Sequence, residues 1–116
     1  MSHDRSTQPP PPTWLSEPCP TWCTREHLDD DHPDDRFHQS EARFVAAIAS
    51  PAAVPDPAAL ASLDLVVRAG RHLGHDLTWI QVSAAEAAHP TLVLSLDSAL
   101  LLGGAIAAAA ADVGRE

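Results

Sequence analysis

The sequence predicts a small α+β domain: an antiparallel sheet of three to four strands, a C-terminal helix packed on one face of it, and a Cys/His head that precedes both. Apolar residues recur at every second position in four short runs after residue 40, which is the period of half-buried strands. The last segment is rich in Ala and Leu without that alternation, which favours a helix. Residues 13–40, before the first run, hold both cysteines and three of the seven histidines, which favours a metal-binding segment.

Three segments divide the chain, and the last two of them form one domain. Residues 1–12 are polar and end in four prolines, a composition that favours extended polyproline II and predicts a disordered tail. Residues 13–40 form the predicted Cys/His head, and residues 41–116 form the predicted α+β core. Hydrophobic residues are 45% of the chain, but many are Ala and only 4% of residues are aromatic, so a metal would help this small core to fold.

Four strands are predicted from the alternating runs, at Arg43–Ala49, Ser62–Ala69, Leu77–Ser83 and Thr91–Leu96. Pro51, Pro55 and Pro57 lack the amide donors that a strand needs, so they mark a loop between the first two strands. Gly70 and Gly74 suit a hairpin connection between the second and third strands. The short links predict an antiparallel meander.

The final helix is predicted to begin at Asp97 or Ser98, either of which can cap it, and to end at about Val113. Its apolar residues would cover one face of the sheet. Gly103 and Gly104 cost such a helix about 2 kcal/mol relative to alanines. We therefore expect the helix backbone to lie close to the sheet at this point, the alternative being a small-residue contact between helices in a dimer.

The head carries Cys19, Cys23, His27 and His38, with the spacing Cys-x3-Cys-x3-His-x10-His. If Cys23 opens a helical turn, His27 lies one turn later on the same face. Two thiolates and two imidazoles form a set that zinc prefers, and four protein ligands leave no position open for water. The pattern predicts a structural zinc ion held by these four residues.

Other interpretations of the same residues remain open. His32, His72 and His75 are alternatives to His38 as the fourth ligand, although His72 and His75 are also explained as exposed turn residues. The cysteines could be reduced core residues beside ordinary surface histidines. They could also form a redox pair, although their spacing is not the Cys-x2-Cys of thioredoxin-like motifs.

Two further features of the head concern its surroundings. Trp22 lies between the thiols, where an indole can shield the sulfur atoms from water or serve as a core anchor. The aspartates at 29–31 and 34–35 lack the spacing and the glycine of an EF-hand loop, which favours a solvated loop.

The run Cys-Pro-x-Trp-Cys from Cys19, followed by x3-His, an acidic stretch and His38-Gln39-Ser40, resembles an actinobacterial family of small uncharacterised proteins. Its members are similar in having such a head, a few strands and a C-terminal helix rich in Ala and Leu, over about residues 17–113 here. The resemblance implies this architecture and a metal-binding head, and it implies no catalytic residue. Members often begin the last helix with Leu-Thr-x-x-Glu-Ala, whereas this chain has Leu-Asp-Ser-Ala-Leu from Leu96.

Charge and composition narrow the classes of partner and location. The chain has 16 acidic residues against seven arginines, which are scattered, so no nucleic-acid partner is expected. The longest apolar run, Ala99–Ala111, is shorter than the ~20 residues of a membrane span, and residues 1–12 lack the apolar stretch of a signal peptide. We expect a cytoplasmic protein without a membrane association.

These observations together predict a non-enzymatic, zinc-stabilised interaction or regulatory accessory protein with an unknown protein partner, and they leave a homodimer open. Motifs for a nucleophile elbow, a phosphate-binding loop or a His-Glu-x-x-His zinc enzyme do not occur. The alternative is a thiol redox sensor or a small enzyme that uses Cys19 and Cys23.

Overall fold

A computed structural model describes residues 11–115, in which five antiparallel strands and one C-terminal helix form an α+β fold. The predicted fold class is thereby confirmed, with five strands in place of three to four. Residues 1–10, most of the predicted tail, lie outside the described residues. The elements are β1 (Phe37–Gln39), β2 (Arg43–Ala49), β3 (Ala61–His72), β4 (Trp79–Ala84), β5 (Leu92–Ser95) and α1 (Leu96–Gly114), with short 3-10 turns at Pro33–Asp35 and Pro57–Ala59.

The 12-residue strand β3 organises the sheet, because β1 and β2 pair with the same edge of it. β1 pairs with the C-terminal end of β3, and β2 pairs with residues 61–67 of β3. β4 pairs with the other edge of β3, and β5 pairs with β4 and completes the sheet. Ser40 joins the two short strands, since its amide donates to the carbonyl of Ala69 and its Oγ accepts from the amide of Ala69. β1 was not predicted because three residues are too few to show an alternation.

The connection between β3 and β4 differs from the predicted hairpin turn. β3 continues to His72, so Gly70 lies inside the strand, opposite Trp79, and does not belong to the turn. Gly74 is in the turn, and its φ of 74° is a conformation that glycine adopts without strain.

The two faces of the sheet differ in polarity. Residues that pair across strands share a face, so the register assigns each side chain to one of them. The polar face includes Ser62, Asp64, Arg68, Gln81 and Ser83, although Phe44, Ile48, Val66 and Val93 also lie on it. The other, which we call the apolar sheet face, is formed by Val45, Ala47, Leu63, Leu65, Val67, Ala69, Ile80, Val82, Ala84, Leu92 and Leu94, with Arg43 at its margin beside Val67.

Helix α1 follows β5 without a connecting loop, and the Oγ of Ser95 caps it by accepting from the amide of Ser98. α1 contacts β5 and β4, but Ala99 is its one half-buried residue and every other described helical residue is exposed. The helix therefore does not lie across the sheet to the extent that the sequence led us to expect. By length and composition α1 is also the one helix within residues 11–115 that could cross a membrane.

The expectation that the helix approaches the sheet at its two central glycines is wrong. A Cβ atom added to Gly103 or Gly104 would meet nothing within 4 Å. The backbone is in open space there because the helix has already left the strands that it contacts.

Candidate metal centre

The head is attached to the sheet through β1. Cys23 forms a β-bridge with Ser40, and the amide of Thr24 donates to the carbonyl of Gln39 over 2.9 Å. The helical turn predicted from Cys23 to His27 does not form, and residues 24–28 have no regular secondary structure. The reason is that Thr24 uses its amide to pair with β1 and not with a carbonyl one helical turn earlier.

A tight turn brings the two thiols together. The amide of Cys23 donates to the carbonyl of Pro20 over 3.0 Å, which folds the chain between the two cysteines. Cys19 is exposed, Cys23 is half-buried, and both thiols are free.

The structure brings together the four side chains that the sequence singled out. Cys19, Cys23, His27 and His38 each offer a ligand atom, and these atoms all lie within 4.8 Å of one another. The Sγ of Cys23 is 3.6 Å from Nε2 of His27. Ligand atoms of a tetrahedral zinc ion are separated by about 3.3–3.8 Å, given bonds of about 2.0–2.3 Å. The cluster can therefore hold a metal ion after a small contraction.

His38 is the most deeply placed member of the cluster. It projects from β1 and its side chain is 0% exposed. Its Nε2 is 2.9 Å from Oε2 of Glu17, while its Nδ1 is buried and has no hydrogen-bond partner. A buried ring nitrogen without a partner is costly, and a metal ion at that nitrogen would remove the cost.

Glu17 is the member of the site that sequence analysis missed. Its Oε2 holds the ring of His38, and its Oε1 accepts from the amide of Gly74 over 2.9 Å. The hydrogen bond with His38, followed by the one from Gly74, lowers the pKa of Glu17 and keeps its carboxylate ionised. A carboxylate on the far nitrogen of a ligand histidine fixes the ring orientation and raises its basicity. No motif marks this pair, because 21 positions separate Glu17 from His38.

The electrostatics of the cluster favour uncharged side chains as long as no cation is present. Burial, followed by the neighbouring Cys23 thiol, raises the pKa of Cys19. Burial, followed by repulsion from His38, lowers the pKa of His27, which keeps its imidazole neutral and available as a ligand. A divalent cation beside the thiols reverses the effect on Cys19, because it stabilises a thiolate.

None of the three alternative histidines lies in the cluster. The ring of His32 is exposed, and its Nδ1 accepts from the amide of Asp34. His72 and His75 lie beside Trp79, with the His72 and Trp79 ring centroids 5.0 Å apart. Of the candidates for the fourth position, His38 is the one with its ring among the other three side chains.

Two indoles line the histidine rings. Trp22 meets His38 edge-on at 6.5 Å between ring centroids, and the guanidinium of Arg71 lies over the Trp22 ring at 5.6 Å. Trp14 meets His27 edge-on at 5.5 Å, and its Nε1 donates to the carbonyl of Leu28. The predicted packing of Trp22 beside the cluster is present. Trp14, which the sequence did not single out, packs against His27 in the same edge-on way.

Substituting Glu17→Gln is expected to weaken metal binding about 10- to 100-fold, because the ring of His38 loses its carboxylate partner. Competition with a chromophoric chelator measures the affinity. Glu26→Gln is the matched control, since Glu26 is exposed and lies next to His27 without contacting the cluster. Equal affinities of the two variants would mean that Glu17 does not support the site.

Comparison with known proteins identifies a family without a described activity. The model of a family described as Domain of unknown function (DUF6907) matches residues 4–116. No curated protein and no solved structure matches the chain.

Proposed function

We propose that this chain, which belongs to the DUF6907 family, is a non-enzymatic, zinc-stabilised interaction or regulatory accessory protein. The observation that carries the proposal is the convergence of two thiols and two imidazoles around the fully buried His38. Zinc is the metal that suits two sulfur and two nitrogen ligands in a tetrahedral arrangement. The ligand set is complete, which favours a structural ion over a catalytic one.

In this proposal the metal joins the N-terminal segment to the sheet. Three ligands come from residues 19–27 and the fourth, His38, comes from β1. Zinc therefore links a segment of little apolar content to β1, which is itself only three residues long. The zinc-stabilised domain then presents its sheet and helix to a protein partner.

Composition supports the proposed class of partner and the proposed location. A formal charge of −9 with scattered arginines disfavours nucleic acid, and two reduced cysteines fit a reducing, cytoplasmic compartment. A redox role is the alternative, because the two sulfur atoms are among the ligand atoms within 4.8 Å of one another. The raised pKa of Cys19 opposes that role, since the thiolate and not the thiol is reactive.

Elemental analysis and thiol titration of the full chain test the proposal. The protein purified without added metal should contain one zinc ion per chain, and its thiols should react with a thiol reagent only after a chelator is added. A folded protein without stoichiometric metal would contradict it. Reversible disulfide formation between Cys19 and Cys23 in such a metal-free protein would favour the redox alternative.

A further inference from the structure

Residues 11–115 leave the apolar sheet face without a covering layer. None of its eleven residues is buried, and Val45 and Leu92 are 47% and 40% exposed. Within residues 11–115 no hydrophobic side chain is buried at all. A sheet with one apolar face needs a second layer against that face, and residues 11–115 do not supply it.

Helix α1 carries a matching uncovered surface. At 3.6 residues per turn, Ala99, Leu102, Ile106 and Val113 lie on one side of the helix. Ala99 is half-buried against the sheet, but further along the same side Ile106 and Val113 are 61% and 69% exposed. The side that meets the sheet at the start of the helix therefore continues past the strands without anything beneath it.

The helix cannot turn back onto its own sheet without new chain between them. β5 ends at Ser95 and α1 begins at Leu96, whereas strand-to-helix connections that reverse direction use about two to six residues. The Ser95 cap and the hydrogen bond from the amide of Leu96 to the carbonyl of Thr78 fix the direction in which the helix leaves.

We propose that a second copy of this chain supplies the missing layer, with α1 of each copy lying across the apolar sheet face of the other. Such an exchange is symmetric and closes as a dimer. The exposed area is large enough for it. The chain exposes 8749 Å², whereas a compact protein of 12.3 kDa exposes about 6,100 Å². This whole-chain excess is not confined to the apolar sheet face and α1, and it is larger than the ~800 Å² per partner that a standard interface buries.

Charge allows this pairing although the chain is acidic. The residues of the apolar sheet face include no carboxylate, and Asp97 and Asp112 lie on the opposite side of α1 from Ile106. The pairing buries no unpaired acid. Insertion of α1 into a membrane would cover the helix but would leave the sheet face exposed, so a second copy accounts for more of the structure. The metal centre lies beyond one end of this face, at His38, and the inference does not rest on it.

Molar mass in solution gives the first test, on the full zinc-loaded chain. Light scattering after size-exclusion chromatography should give twice 12.3 kDa. Ile106→Asp should weaken the dimer about 100-fold or more, because it places an unpaired carboxylate in the interface. Leu101→Asp is the matched control, since Leu101 lies on the side of Asp97 and Asp112, and it should leave the dimer intact. A monomeric parent protein at micromolar concentration, or equal effects of the two variants, would overturn the proposal.

A photo-crosslinker at position 106 gives a second test that does not depend on the folding of an aspartate variant. In a mixture of isotopically labelled and unlabelled chains, crosslinks should join position 106 to residues such as Val67 and Val82 of the other copy. Crosslinks from helix to helix would overturn the proposed arrangement. Flotation of the parent protein with vesicles of phosphatidylcholine and phosphatidylglycerol, accompanied by loss of the dimer, would favour a membrane and also overturn it.

Discussion

The variant Cys23→Ser should lose stoichiometric zinc and should leave the head unfolded. A serine hydroxyl is a poor zinc ligand, and Cys23 contacts His27 in the centre of the cluster. Structural zinc ions contribute about 10 kcal/mol or more of apparent folding free energy, which is comparable with the whole stability of a small domain. Denaturant unfolding of zinc-loaded samples, with zinc content measured in parallel, gives the size of the loss.

The matched control for Cys23→Ser is His32→Ala. His32 lies in the same acidic loop region between His27 and His38, but its ring is 68% exposed and outside the cluster. Its replacement removes the hydrogen bond from the amide of Asp34 to its ring, so it should lower stability by about 1 kcal/mol and should leave the zinc content at one ion per chain. If Cys23→Ser were as stable as His32→Ala, the cysteines would have a role other than holding a metal.

Three of the four clustered residues could be predicted because their spacing is local. Cys19, Cys23 and His27 are four residues apart in turn, so the tight turn between the cysteines and a short chain to His27 bring them together. Whether His38 or another histidine joins them depends on the pairing of β1, which no local pattern encodes. Glu17 could not be predicted for the same reason: its partners, His38 and Gly74, are 21 and 57 positions away.

The sheet was predictable where its strands are long and alternate clearly. β2 has the bounds that the sequence indicates, while β1 is too short to carry a pattern. In a strand, alternate side chains form two sets, one on each face of the sheet. Alternation alone does not say which of these sets lies on the same face as a given set of the neighbouring strand. Phe44 pairs with Val66, so it lies on the face opposite to Leu65 and Val67. The helix was expected to pack on the sheet because an apolar sheet face needs a second layer against it. That requirement does not specify which chain provides the layer.

On the polar face of the sheet, the indole of Trp79 packs closely against Gly70. Gly70 is buried in β3 opposite Trp79, and a Cβ atom added to it would lie 2.5 Å from Cε2 of that side chain. The indole cannot easily move, because the rings of His72 and Phe37 pack against it with centroids 5.0 and 6.0 Å away. Glycine is needed here for close approach, and its position inside a long strand would otherwise be unfavourable.

Gly70→Ala should therefore destabilise the protein by about 2–3 kcal/mol, because the methyl group forces the Trp79 indole away from its neighbours. Gly104→Ala is the matched control: nothing lies within 4 Å of its added Cβ, and alanine is the better helix former, so stability should rise by about 0.5–1 kcal/mol. Urea unfolding of the two variants should give shifts of opposite sign. A Gly70→Ala variant as stable as the parent protein would show that Trp79 does not pack on β3 at this position.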